Sequence, residues 1–186
     1  MFRKISTAIF LWILIMQPLI ASSQTSVFLG PHLGIQKSSG ADKANYLVGL
    51  TFRAKLSPVL GLEGDIGYRQ QKYGKDVLTV KEWPVTVTAL LYPVPIIYGG
   101  IGAGWYNTSF DYADTYNQDG IEDETTQKFG WHLAAGVEVE ASPQVSIFGD
   151  IRYVFLKYKF RDLPGAVLDG AKADFYSINL GLLFHL

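Results

Sequence analysis

The chain has 186 residues, no cysteine, 19 glycines and a formal net charge of −1 from 16 Lys+Arg and 17 Asp+Glu. The absence of thiols excludes a disulfide framework and a lipid-modified N-terminal Cys, and the near-neutral balance argues against a nucleic-acid partner, which needs a basic field. Beyond residue 24 no continuous apolar stretch is long enough for a spanning helix, so any membrane crossing must be made by strands.

The first 23 residues read as a secretory signal peptide that is cleaved: Arg3 and Lys4 form a basic start, Ile9 to Met16 an apolar run, and Ala21-Ser22-Ser23 a small-residue site before Gln24. The apolar run falls short of the ~20 residues an uncleaved anchor would need. Removing Arg3 and Lys4 leaves 14 basic against 17 acidic residues, net −3, in a single expected domain over 24–186.

Period-two alternation and turn residues mark eight strands: 25–37, 45–57, 60–73, 79–92, 95–110, 126–140, 144–159 and 173–186. Their connections alternate. Ser57-Pro58-Val59-Leu60-Gly61, Tyr92-Pro93-Val94-Pro95 and Ala141-Ser142-Pro143-Gln144 are tight, whereas 38–44, 74–78, 111–125 and 160–172 are mostly longer and polar. In an up-and-down meander the short turns share one rim and the long loops the other. The fold class expected is therefore all-β, an eight-stranded antiparallel up-and-down barrel.

Centring the second connection on Val59 places Arg53 opposite Asp65 and Lys55 opposite Glu63, with Phe52 opposite Ile66, Leu50 opposite Tyr68 and Leu56 opposite Leu62. Opposite charges on one face and apolar pairs on the other are what cross-strand contacts favour, at ~0.2–1 kcal/mol each. Pro31 and Pro84 each remove a ladder hydrogen bond, and Trp83-Pro84-Val85 is a candidate start for the fourth strand. The fifth, with Gly99, Gly100, Gly102 and Gly104, shows no clear face.

Composition decides which face is wet. A solvated face would be crowded with long charged chains, yet Gly49, Gly67, Gly130, Gly136, Gly181, Ser146 and Ser177 sit among its charges. Small residues fit a narrow lumen, and eight strands leave an interior just wide enough for side chains. The expected interior network is Arg53, Lys55, Glu63, Asp65, Arg69, Glu138, Glu140, Asp150 and Arg152, each requiring a partner because an unpaired buried charge is costly. The other face is apolar: Tyr46, Val48, Leu50, Phe52 and Leu56; Trp83, Val85, Val87 and Leu91; Phe129, Trp131, Leu133, Val137 and Val139; Val145, Ile147, Ile151, Tyr153 and Phe155.

The last strand alternates Tyr176, Ile178, Leu180, Leu182, Phe184 and Leu186 with Ser177, Asn179, Gly181 and His185. It resembles the C-terminal recognition strand of bacterial outer-membrane barrels, although Leu186 stands where a terminal Phe is usual. With Gly99-Gly100-Ile101-Gly102-Ala103-Gly104-Trp105-Tyr106, Gly130-Trp131-His132-Leu133-Ala134-Ala135-Gly136-Val137-Glu138 and Gly149-Asp150-Ile151-Arg152-Tyr153, the chain resembles the small OmpA/OmpX-type outer-membrane β-barrel family over residues 25–186. The resemblance implies a bacterial outer-membrane address with both termini periplasmic. It further implies outer-membrane lipid and lipopolysaccharide as surroundings, reading of the last strand by the barrel-assembly machinery, a monomer, and no shared activity or cofactor.

Candidate chemistry is sparse. Asp111, Asp114, Asp119, Glu122, Asp123 and Glu124 make an acidic segment whose Asn117-x-Asp119-Gly120 resembles part of a calcium loop, but Thr115 and Thr126 stand where ligands should be; a solvated loop is the simpler reading. His32 and His132 are expected to point inward and His185 to lie at the periplasmic rim. No Ser has a nucleophile context, so an enzyme is not expected. The expected function is a structural or surface-interaction protein with a lumen plugged by paired charges. The alternatives are a narrow channel or carrier for small or hydrophobic solutes, and a soluble lipocalin-like exported binding protein.

Overall fold

A computed structural model describes residues 25–38, 44–73, 78–112, 124–156 and 174–186. The expected signal peptide, most of the long connections, the core of the acidic segment and residues 157–159 lie outside the described residues. Eight strands follow in order: β1 (Ser26–Ser38), β2 (Asn45–Lys55), β3 (Leu60–Tyr73), β4 (Leu78–Val94), β5 (Ile97–Tyr112), β6 (Glu124–Ser142), β7 (Val145–Phe155) and β8 (Phe175–His185). Each pairs antiparallel with its sequence neighbours and β1 pairs with β8, closing the barrel.

Closure removes the sheet edges, and alternation sends every second side chain into the lumen. The outward set is apolar and exposed: Leu33 is 62% accessible and Ile66 59%, against 0% for Arg53 and 1% for Glu63. This distribution is the reverse of a lipocalin's and excludes the soluble alternative. Outward rings Trp83, Trp105, Phe129, Trp131, Tyr153 and Tyr176 lie in the loop-side half of the wall. Ring contacts link adjacent strands along this belt: Tyr68 with Trp83, Trp105 with Phe129, and Trp131 stacked on Phe155 at 3.9 Å.

The β2–β3 register differs from the sequence expectation by two residues. Arg53 faces Glu63, Thr51 faces Asp65 and Lys55 faces Gly61, while Leu50 faces Ile66 and Val48 faces Tyr68. The cause is Ser57. Its carbonyl accepts from the Leu60 amide at 3.3 Å, and its hydroxyl accepts from the amides of Val59 and Leu60 at 3.3 and 3.1 Å. The turn thus centres on Pro58 rather than Val59. A two-residue shift exchanges partners but leaves each side chain on its face, because the strand period is two.

Neither proline starts a strand or makes a bulge. Pro31 keeps its place opposite Leu50 on β2, but β1–β8 pairing lapses between Leu29↔Phe184 and His32↔Gly181 and resumes in the same register. Pro84 keeps its place opposite Tyr106 on β5, while β3–β4 pairing lapses between Ile66↔Val85 and Arg69↔Glu82. Real bulges occur at the short-turn rim, between Leu91 and Val94 and between Glu140 and Ser142.

Strand β5 acquires its face from its neighbours. Gly102 lies under the His132 ring, where an added Cβ would come within 2.5 Å of Cε1 and Nε2, and Gly136 on β6 lies under Tyr98 in the same way. Glycines on the inner wall thus create the width that large polar rings occupy. Proline supplies no N–H, so the carbonyls of Gly67 and Leu182, which face Pro84 and Pro31, lose a ladder donor. Pro84→Val and Pro31→Val restore that donor and should each raise stability by about 0.5–1.5 kcal/mol in urea titration of the micelle-embedded barrel; unchanged midpoints would show that the missing donor costs nothing.

Candidate functional site in the barrel lumen

The lumen is filled by side chains that all eight strands aim inward. Arg53 on β2 donates through Nε to Glu63 Oε2 on β3 at 3.0 Å and through Nη1 to Glu138 Oε2 on β6 at 2.8 Å. Its Nη2 also pairs with Glu63, and its plane lies over the Tyr98 and Phe148 rings, 4.7 and 4.9 Å from their centroids. Arg152 on β7 reaches across to Glu63 Oε1 at 2.8 Å while holding Asp150 Oδ2 at 2.7 Å. Lys55 completes the chain on Glu138 Oε1 at 2.7 Å, and Asn179 of β8 donates to Asp150 Oδ1 at 2.6 Å.

Three cations (Lys55, Arg53, Arg152) thus meet three anions (Glu138, Glu63, Asp150) in one connected set. Charge balance matters because an ion is expensive to desolvate and is tolerated only with good geometry and further hydrogen bonds. Two tyrosines supply those bonds: Tyr92 donates to Glu138 Oε2 at 2.9 Å and Tyr98 to Asp150 Oδ2 at 3.2 Å. The Arg53–Glu138 and Arg152–Glu63 contacts join β2 to β6 and β3 to β7, spanning the lumen.

Two smaller groups lie nearer the loop side. Thr51 donates its hydroxyl to Asp65 Oδ2 at 2.9 Å and lies within hydrogen-bond reach of His32 Nδ1 at 3.1 Å. His32 Nδ1 also lies 3.4 Å from Asp65 Oδ2, so the three side chains form one polar group. His132 Nε2 bonds to Thr88 Oγ1 at 2.9 Å. Higher still, Arg69 donates through Nε to Glu82 Oε2 at 2.7 Å and through Nη1 to Gln36 Oε1 at 2.5 Å, with its plane 3.7 Å from the Phe175 centroid. Phe175 packs with Tyr106, Val154 and Leu156.

Of the sequence-derived network, Arg53, Lys55, Glu63, Glu138, Asp150 and Arg152 come together. Asp65 stands apart with Thr51 and His32, and Arg69 with Glu82. Glu140 is exposed at the short-turn mouth, lining a recess of about 430 Å³ that also includes Lys55, Glu138 and His185. Glu82 is absent from that set, although its even spacing from Thr86 and Thr88 placed it on the same face. Tyr92 and Tyr98 are also missing from it, since tyrosine on an alternating strand gives no sign of which face it occupies. His185 lies at the same rim, stacked on Phe28 at 4.9 Å. Tyr176, Ile178, Leu180, Leu182, Phe184 and Leu186 are all exposed on the outer surface. Among the described residues no three His, Cys, Asp or Glu side chains stand together as metal ligands.

A closed antiparallel cylinder with an apolar exterior and an ion-paired interior is a transmembrane β-barrel. The chain belongs to the outer membrane protein beta-barrel domain family, which matches residues 6–185, and it is accordingly a bacterial outer-membrane protein. The 25 kDa outer-membrane immunogenic protein of Brucella abortus is 30% identical over 132 residues, covering 67% of this chain and 56% of that protein. The Brucella canis protein of the same name is 30% identical over 148 residues, covering 75% and 63%. The matched region thus spans less than two thirds of those relatives' length. Among solved structures, Neisserial surface protein A superposes with a TM-score of 0.59 at 13% identity, covering 87% of this chain and 97% of that one. The Yersinia pestis attachment invasion locus protein Ail, solved with the heparin analogue sucrose octasulfate, gives a TM-score of 0.52 at 18% identity and the same coverages. At these identities the likeness is one of fold.

Replacing Arg53 by Ala leaves Glu63, Glu138 and Asp150 facing only Lys55 and Arg152 and should lower unfolding stability by about 3–5 kcal/mol, the usual cost of breaking a buried pair. Glu140→Gln, at the exposed mouth, should change it by less than about 0.5 kcal/mol. Urea titration in micelles followed by tryptophan fluorescence compares the two.

Proposed function

We propose that this protein is a monomeric, non-catalytic outer-membrane anchor: a rigid barrel that presents its long loops at the cell surface for recognition and keeps both termini and the short turns in the periplasm. The observation that carries this reading is the neutral set of six charged side chains crossing the lumen from β2 to β6 and from β3 to β7. Eight strands leave an interior that side chains fill, and a conduit would require those pairs to part. A conducting role therefore finds less support than a plug.

The loop-side belt of Trp and Tyr fits an outer interface facing lipopolysaccharide, and long loops beyond it are where binding residues concentrate. One set of relatives and one structural neighbour fit a surface role by their descriptions: the Brucella proteins are called immunogenic, and Ail was solved with a heparin analogue bound. The outward alternation of Tyr176 to Leu186 supports reading of β8 by the assembly machinery.

Two measurements test the proposal. Purified barrel in planar bilayers should give no stepwise conductance. Protease applied to intact cells should cut within 113–123 or 157–173 and spare the turns at Pro58, Pro95 and Pro143. Steady unitary currents would favour the conduit, and cleavage at the short turns would invert the orientation.

A further inference from the structure

The filling of the lumen stops short of one end. At the short-turn mouth the recess of about 430 Å³ stays open between the strand ends, within the size range of small-molecule pockets. Its deep wall holds the buried Phe28 ring and Glu138, and Ile96, Pro143 and Val145 form an apolar lip.

Two opposite charges face this space. The Lys55 ammonium lies 2.7 Å from Glu138 Oε1 and 5.5 and 5.1 Å from the Phe28 and Tyr92 centroids, yet its side chain is still 29% exposed. An ammonium carries three N–H donors, so one carboxylate oxygen does not exhaust it. Glu140 follows Glu138 by two residues on the same face of β6, about 7 Å nearer the rim. It is exposed and has no hydrogen-bond or ion-pair partner among the described residues.

We propose that this recess is a binding site for a small zwitterion of the amino-acid class, with its carboxylate on Lys55, its ammonium on Glu140 and an apolar side chain against Phe28 and the lip. Charge selects the ligand. A simple anion is opposed by Glu138 and Glu140, and a simple cation by Lys55; a molecule bearing both charges can present the opposite sign to each. Size agrees, because the recess is far larger than the about 10–15 Å³ that one water-sized occupant needs. The site goes beyond the anchoring role: it requires no recognition by the loops and, in detergent, no particular orientation in a membrane.

The test is a nuclear magnetic resonance titration of the isotope-labelled full-length mature barrel in an uncharged maltoside micelle, which avoids competition from a zwitterionic detergent. Leucine is the probe, and N-acetylleucine and leucinamide, each lacking one of its charges, are the controls. Leucine should give saturable shifts at Lys55 Nζ and the Phe28 ring. Each control should bind about tenfold more weakly, the value of one charge-assisted contact. Glu140→Gln, a change at an exposed site, should weaken leucine about tenfold and leave N-acetylleucine unchanged. Absence of saturable shifts with leucine, equal binding of the three probes, or leucine binding unaltered in Glu140→Gln would overturn the proposal.

Discussion

The central ion-pair cluster of this barrel is arranged around a fully buried guanidinium. Arg53 cannot shed its charge, so its surroundings must supply two carboxylates, two phenol oxygens and two ring faces within bonding reach. Each supplier then needs partners of its own: Glu63 takes Arg152, Glu138 takes Lys55 and Tyr92, and Arg152 takes Asp150. The chain of obligations ends only when charge is balanced and strands on opposite walls are tied together. A lipid-facing exterior adds little specificity, because apolar chains pack against lipid in many registers. The interior network adds pairing specificity to the registers that the turns set.

The wall obeys a different constraint. Lipid offers no hydrogen bonds, so a spanning sheet must satisfy its own backbone by closing. This sheet closes while tolerating two prolines, because each loses pairing on one side and keeps it on the other. It accommodates large inner rings by thinning the wall: His132, Tyr98 and Phe148 stand over Gly102, Gly136 and Gly181. The glycine content that marked the inner face as crowded is therefore the complement of the rings and guanidiniums opposite.

Strand number, order and the apolar outer face were legible in the sequence because alternation reports them directly. Partner choice was less so. The β2–β3 register depended on Ser57 closing the turn through its own oxygens, a local bond that alternation does not encode, and the result exchanged Asp65 for Glu63 opposite Arg53. Strand β5 hid its face because glycine has no side chain to classify; only contacts from β4 and β6 assign it. The separation of Asp65 and Arg69 from the central cluster also escaped a linear reading, since height along a tilted strand depends on the register of every ladder before it.

Pro31 has a consequence for how the molecule is made. It sits on the seam where the first strand meets the last, and there the pairing joins residues at opposite ends of the domain, such as Phe28 with His185. Contacts so distant along the chain are entropically the slowest to establish, and this ladder also lacks pairs midway. Closing the cylinder along this line therefore carries the largest loop-closure cost of the eight ladders, and it is met with fewer paired residues than the unbroken ladders offer.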